Sequence, residues 1–139
     1  MADTVLVPLD GSEQSWTAFN HALSEFPDAE ITLINVVDPI EAGYSSEATA
    51  VGYAEEWFEQ AKANAEELFD EARERTDREV HTTVEVGRPA RTIVDYAEEE
   101  GFDQILMGSH GRSGVSRILL GSVAETVVRR SPVPVTVVR

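Results

Sequence analysis

Cysteine is absent from the sequence, and lysine occurs only once, at position 62 of 139 residues. Without cysteine the chain has no disulfide, no thiolate nucleophile and no zinc–thiolate site. Its three histidines, His21, His81 and His110, are too scattered to give a metal-ligand spacing, so a structural metal is not expected. A Walker loop is excluded as well, because it requires a lysine after its last glycine and Lys62 stands on an acidic predicted helix.

Long apolar runs are also missing. No stretch approaches the roughly 18 residues that a membrane-spanning helix needs, and the start Met1-Ala2-Asp3-Thr4 lacks the basic residues and apolar run of a signal peptide. We therefore expect a cytoplasmic protein without a membrane partner. With 139 residues, 42% of them apolar, the chain is expected to form one domain over residues 1–139.

Positive charge is scarce. Twenty-six acidic residues oppose eleven basic ones, which gives a formal net charge of −15. Self-repulsion of this size destabilises a compact chain unless salt screens it, so a salt-in halophile is favoured over an acidic mesophilic protein. The same charge disfavours nucleic acid as a partner. Residues 104–139 are the exception, since they contain five arginines and one acidic residue, Glu125. This local net charge of +4 favours an anionic ligand.

The chain alternates regularly between strand and helix patterns. Short β-rich runs at residues 4–9, 31–37, 80–86, 104–107 and 135–138 predict five strands. Apolar residues at helical spacing predict helices that begin after Ser12, near Ala54, at Pro89 and at Ser122, the last with a capping box from Ser122 to Glu125. In this last helix Val123, Val127 and Val128 are expected to face inward. Residues 38–50 lack periodicity and are expected to form the one long loop. This order predicts an α/β fold with a five-stranded parallel doubly wound sheet of Rossmann-like type.

Ligands of such sheets bind beyond the carboxyl ends of the strands, where the strand order reverses. The turn Asp10-Gly11-Ser12 and the loop that begins at Gly108 are expected to meet there. That loop is rich in glycine, hydroxyl groups and arginine, a composition that suits a phosphate. A glycine-rich turn that only links a strand to a helix has the same composition, so the loop by itself leaves both interpretations open.

A dinucleotide fingerprint is excluded too, since only Gly11 follows the first predicted strand. What remains is the spacing Gly108-x2-Gly111-x9-Gly121-Ser122, together with Val7-Pro8-Leu9-Asp10-Gly11-Ser12 at the start. With these motifs the whole chain resembles the nucleotide-binding branch of the universal stress protein family. The resemblance implies a five-stranded parallel α/β sheet, an adenine nucleotide as ligand and a dimer.

The resemblance also implies which residues form the site. In that family the aspartate of the first turn lies near the adenine and ribose, and the glycine loop wraps the phosphates. Ala124 is a departure, since some nucleotide-binding relatives have a hydroxyl there. Magnesium, where it accompanies ATP, would be held chiefly by Asp10 and the phosphates. The implied nucleotide-binding residues are Pro8, Asp10, Ser12, Val36, Val37, Met107, Gly108, Ser109, Gly111, Arg112, Gly121, Ser122 and Val123.

Each position also has a purely structural explanation, since Asp10 and Ser12 could form a turn and cap a helix, and Val36 could belong to the core. Their joint fit to one pocket favours a module that binds ATP, AMP, cyclic AMP or another adenine nucleotide. We expect it to act in stress response or signalling through nucleotide-dependent conformation and partners. The alternatives are a slow ATPase or nucleotidyl-transfer enzyme, and a ligand-free dimeric interaction module.

The last predicted strand, Val135 to Val138, is apolar and closes the sequence. In a doubly wound order it lies at an edge of the sheet, where unpaired N–H and C=O groups invite another strand. We therefore expect a homodimer in which two copies of this strand pair antiparallel. A helix or loop that covered the edge would instead leave a monomer.

The net charge of −15 predicts that the fold depends on salt. Thermal stability should rise between low and molar potassium chloride, because screening weakens the repulsion among the acidic residues. Differential scanning calorimetry across that range measures the change in Tm. A Tm that stays flat with salt would contradict the halophilic interpretation.

Overall fold

The computed structural model describes residues 3–39, 51–110 and 120–139. Within these ranges no helix is both long enough and apolar enough to cross a membrane. The predicted long loop lies mostly outside them. The elements, in chain order, are β1 (Thr4–Pro8), α1 (Glu13–Glu25), β2 (Glu30–Val37), α2 (Val51–Glu74), β3 (Val80–Val86), α3 (Pro89–Glu99), β4 (Gln104–Gly108), α4 (Ser122–Arg130) and β5 (Val135–Val138).

All five strands are parallel and form one sheet in the order β3-β2-β1-β4-β5. The chain first builds outward from β1 to β2 and β3, then returns to the other side of β1 for β4 and β5. The order therefore reverses between β1 and β4, and the doubly wound fold predicted from the sequence is confirmed. Strand β5 lies at an edge, also as predicted.

The two faces of the sheet carry two helices each. Val5 and Val7 of β1 pack in a fully buried cluster with Phe19 of α1 and Phe69 of α2. Leu6 points the other way, into a second cluster that holds residues of α3 and α4. This alternation follows from the two-residue period of a strand, and burial on both faces explains why β1 is wholly apolar at its centre.

Helix α4 departs from the sequence prediction in two ways. Its N-cap is Gly121, without a side-chain cap, so Ser122 is already the first helical residue and the predicted Ser122–Glu125 capping box does not form. Glu125 pairs instead with Arg129. Val128, expected to face inward, is 45% exposed, because the buried stripe of α4 runs through Ala124 and Val127.

The side chain of Arg78 caps the carboxyl end of α1. The guanidinium of Arg78 donates hydrogen bonds to the carbonyls of Leu23 at 3.1 Å, Phe26 at 3.0 Å and Ala29 at 2.7 Å. These carbonyls belong to the last turn of α1 and the turn that leads into β2, where helical partners are missing. Arg78 thus fixes how the chain leaves α1 and enters the sheet.

Asp103 joins the start of β4 to the start of β1. Its Oδ2 accepts hydrogen bonds from the backbone N–H of Asp3 at 3.0 Å, the N–H of Thr4 at 3.1 Å and the Thr4 hydroxyl at 3.2 Å. These bonds favour the ionised carboxylate, and the two from backbone N–H groups contribute most to lowering the pKa of Asp103.

Replacing Asp103 with alanine should lower the Tm near neutral pH. A lowered folded-state pKa gives stabilisation that is present above the unfolded pKa, about 3.9, and is lost as pH falls through the folded value. The difference in Tm between parent and Asp103→Ala should therefore be constant near pH 7 and close in strong acid. Glu99→Ala, which removes an exposed carboxylate without a hydrogen bond in the described residues, is the control. A difference independent of pH would contradict the role of the carboxylate charge.

Candidate nucleotide-binding cleft

A cleft of about 850 Å³ opens at the carboxyl edge of the sheet, over the point where the strand order reverses. Its volume is within the usual range for small-molecule sites, and its wall is mostly apolar with a few polar groups, as in such sites generally. The lining comes from the ends of β1, β2 and β4, the first turns of α3 and α4, and one face of α2.

The turn after β1 is built by its own hydrogen bonds. Oδ1 of Asp10 accepts from the N–H of Ser12 at 2.9 Å, and Gly11 between them has φ +87°, a conformation that favours glycine. Ser12 then caps α1, since its hydroxyl accepts from the N–H of Ser15 at 3.1 Å. The Nδ2 of Asn35 donates to the carbonyl of Leu9 at 2.9 Å and ties this turn to β2.

The end of β4 is held by close backbone contacts. A Cβ on Gly108 would lie 2.9 Å from both the carbonyl carbon and the Cβ of Gln14, so glycine here lets α1 approach the strand. The N–H of Ser109 donates to the carbonyl of Val138 at 2.7 Å, and the carbonyl of Ser109 accepts from the N–H of Gly121 at 2.7 Å. Ser109 thus connects the edge strand β5 with the N-cap of α4.

His110 brings an unsatisfied nitrogen to the cleft. Its Nδ1 is 3.1 Å from the hydroxyl of Ser109, whereas its Nε2 is buried without a hydrogen-bond partner in the described part of the chain. Buried polar atoms normally have partners, so Nε2 of His110 is an exception beside the cleft. From the sequence alone His110 is interpreted as a loop residue and not as a general base, because no nucleophile or acid partner is evident.

Most of the predicted site residues are brought together. Ser109 is an exception, since it is 1% exposed and lies behind the cleft wall. Gly111 and Arg112 lie outside the described residues. The predicted residues that line the cleft are Pro8, Asp10, Ser12, Val36, Val37, Met107, Gly108, Gly121, Ser122 and Val123.

The sequence interpretation missed the remaining wall. Two groups of residues account for most of it, one on α2 and one at the end of β2 and the start of α3, where the parallel order places every carboxyl end at the same edge. The shared edge of parallel strands could have suggested the residues at the end of β2 and the start of α3. The residues on α2 could not have been found from sequence spacing alone. The missed residues include Asn35, Asp38, Asn64, Leu68, Arg88, Pro89 and Ile93.

Carboxylates are few at this edge. Asp10 and Asp38 line the cleft, and the described ranges contain no group of three or more histidine, aspartate or glutamate side chains that could hold a metal ion. One oxygen of Asp10 already accepts from Ser12. Asp10 therefore suits a cation whose other ligands come from phosphate and water, as is common for magnesium.

Comparison with known proteins agrees with this architecture. The model of the universal stress protein family matches residues 1–139. The chain belongs to this family. Universal stress protein MJ0531 of Methanocaldococcus jannaschii is 38% identical over 143 residues, which cover 97% of this chain and 81% of that protein.

Two solved structures extend the comparison. The hypothetical protein MJ0577 has a TM-score of 0.79 at 36% identity, over 98% of this chain and 94% of its own. A universal stress protein in complex with cAMP has a TM-score of 0.69 at 26% identity, over 99% and 97% of the two chains. The family and the parallel α/β fold expected from the sequence are thus confirmed.

Proposed function

We propose that the protein binds an adenine nucleotide in the cleft and acts as a stress-response or signalling module in the cytoplasm. The observation that carries the proposal is convergence: residues from three separate stretches, around Asp10, Val36 and Gly121, line one cleft at the switch point of the sheet. The cAMP held by a related universal stress protein supports the adenine nucleotide class.

The chemistry of the lining suggests how the nucleotide lies. Val36 and Val37 offer an apolar surface for the base, and Asp10 offers a carboxylate to the ribose hydroxyls. The phosphates belong at the start of α4, where Gly121 caps the helix without a side chain and the N–H groups of the first turn attract anions. The family resemblance adds Gly111 and Arg112 to the residues that would contact the phosphates.

For ATP bound together with magnesium, the residues present offer the ion one protein ligand. Asp10 would supply a carboxylate oxygen to the ion, and phosphate and water would supply the other ligands. The bound ion would neutralise phosphate charge in a chain whose net charge is −15.

Asp10→Asn tests the placement of the ligand. Asparagine keeps the Oδ1 that accepts from Ser12, so the turn should remain, whereas the charge that would bind ribose or magnesium is lost. We expect Kd for ATP to rise about tenfold, which corresponds to about 1.4 kcal/mol. Isothermal titration calorimetry measures this change, and mass spectrometry of the small molecule released on heating identifies the natural ligand.

Asp28→Asn is the control, because Asp28 is an exposed residue of the turn before β2 and does not line the cleft. Its Kd should equal that of the parent. A parent that binds no adenine nucleotide at working salt would end the proposal, and equal affinity of parent and Asp10→Asn would remove Asp10 from the site.

We further propose that the module is a homodimer joined through β5. The N–H of Ile105 donates to the carbonyl of Pro134, and that of Ser109 to Val138. Since strand residues alternate in direction, the backbone groups of Val135 and Val137 are directed to the open edge. Two such edges can pair antiparallel about a twofold axis.

Val137→Pro should convert the dimer to a monomer that remains folded, since it removes a donor only from the open edge. Thr136→Pro is the matched comparison, because its backbone groups face β4 and their loss should lower the Tm instead. Light scattering at working salt measures the mass, and calorimetry the Tm. A parent that is monomeric at micromolar concentration would contradict the dimer.

A further inference from the structure

Arg88 occupies a defined place in the cleft wall. It follows the end of β3 and is the N-cap of α3, where its carbonyl accepts from the N–H of Thr92 at 2.9 Å. The neighbouring Gly87 donates its N–H to the carbonyl of Val37 at 3.0 Å. These bonds hold the backbone of Arg88 beside the end of β2, where the base is proposed to lie.

Within the described residues its exposed guanidinium has no partner, and Lys62, Arg130 and Arg139 likewise have none. Of these four cations, Arg88 is the one that lines the cleft. Arg73, Arg75, Arg91 and Arg129 each pair with a carboxylate, and Arg78 binds carbonyls. The guanidinium of Arg88 makes no ion pair or hydrogen bond within the described ranges, although acidic residues outnumber basic ones by more than two to one in the sequence. It lines the cleft and leaves its donors and its planar face available.

Arg88 lies at the end of the cleft that β2 and α3 form. The N–H of Gly87 bonds to the carbonyl of Val37, so Arg88 directly follows a residue that is tied to the end of β2. This is the end where the base is proposed to lie, whereas the proposed phosphate contact is at the start of α4. The cleft wall near Arg88 includes Val36, Asp38, Pro89 and Ile93.

We propose that Arg88 is a base-binding residue of the site, whose guanidinium lies against the face of the purine and closes that end of the cleft. This inference rests on the proposed function and adds to it a residue that determines affinity for the base. Arginine suits this contact because its delocalised planar cation stacks on aromatic rings while its edge still donates to ring nitrogens. Base stacking of this kind does not require a phosphate on the ligand.

Arg88→Met tests the assignment, since methionine keeps an unbranched apolar stem and removes the planar charge. Titration calorimetry with adenosine, AMP and ATP should show Kd raised about three- to tenfold, by the same factor for all three ligands. Arg88→Lys should restore affinity only in part, because an ammonium group is not planar. Arg91→Met, on the same helix but outside the cleft wall, should leave all three affinities unchanged.

The possible results distinguish failure of the base contact from failure of the proposed function. A loss confined to AMP and ATP, or one that grows with the number of phosphates, would overturn the base contact and make Arg88 a phosphate ligand. A parent that binds these ligands while Arg88→Met binds them equally well would overturn this inference and leave the proposed function standing. A parent that binds none of them would overturn both. Equal Tm values for Arg88→Met and Arg91→Met verify that both variants fold.

Discussion

The parallel pairing of β1 with β2 on one side and β4 on the other is the constraint from which the rest of the molecule follows. A strand buried on both faces must be apolar, and β1 has no exposed side chain at its centre. Parallel strands also end at the same edge. Turns that are distant in sequence are therefore brought side by side at that edge, and polar residues of these turns line the cleft.

The glycines near this edge serve the fold as well as the cleft. Gly108 is required by the approach of Gln14, whether or not a ligand is bound, and a Cβ on Gly121 would lie 3.2 Å from the carbonyl of Ser109. A glycine motif can therefore persist for packing reasons alone. The turn Asp10-Gly11-Ser12 is likewise complete without a ligand. Evidence for binding has to come from groups at the cleft that have no partner among the described residues, such as the buried Nε2 of His110 and the exposed guanidinium of Arg88.

Much of the fold could be predicted because local signals agreed with one another. The apolar runs end in turn residues, Ser12 caps α1 as expected, and Pro89 starts α3. The errors arose where tertiary contacts decide. The bond from Gly121 to Ser109 sets the start of α4 and displaces the predicted cap.

The candidate site, like the fold, could be predicted only in part from the sequence. Residues near glycines and turns, such as Asp10 and Gly121, were identified because their chemistry is visible in a short motif. Asn64 and Leu68 were missed because they line the cleft only through the way α2 lies across the strand ends. The spacing of apolar residues along α2 does not show how the helix lies across the strand ends. Arg88 was missed for a related reason: only coordinates reveal that it lines the cleft and that its guanidinium has no partner in the described part of the chain.

The bond between Thr4 and Asp103 joins residues 99 positions apart, and it lies where β1 pairs with β4. The β1–β2–β3 half of the sheet uses nearer partners and can assemble on the ribosome as soon as α2 and β3 have emerged. Until β4 is synthesised, one edge of the central strand β1 stays open. Closing so long a loop makes this step slow relative to local pairing, so β1 is fully enclosed later than β2 although it is synthesised first.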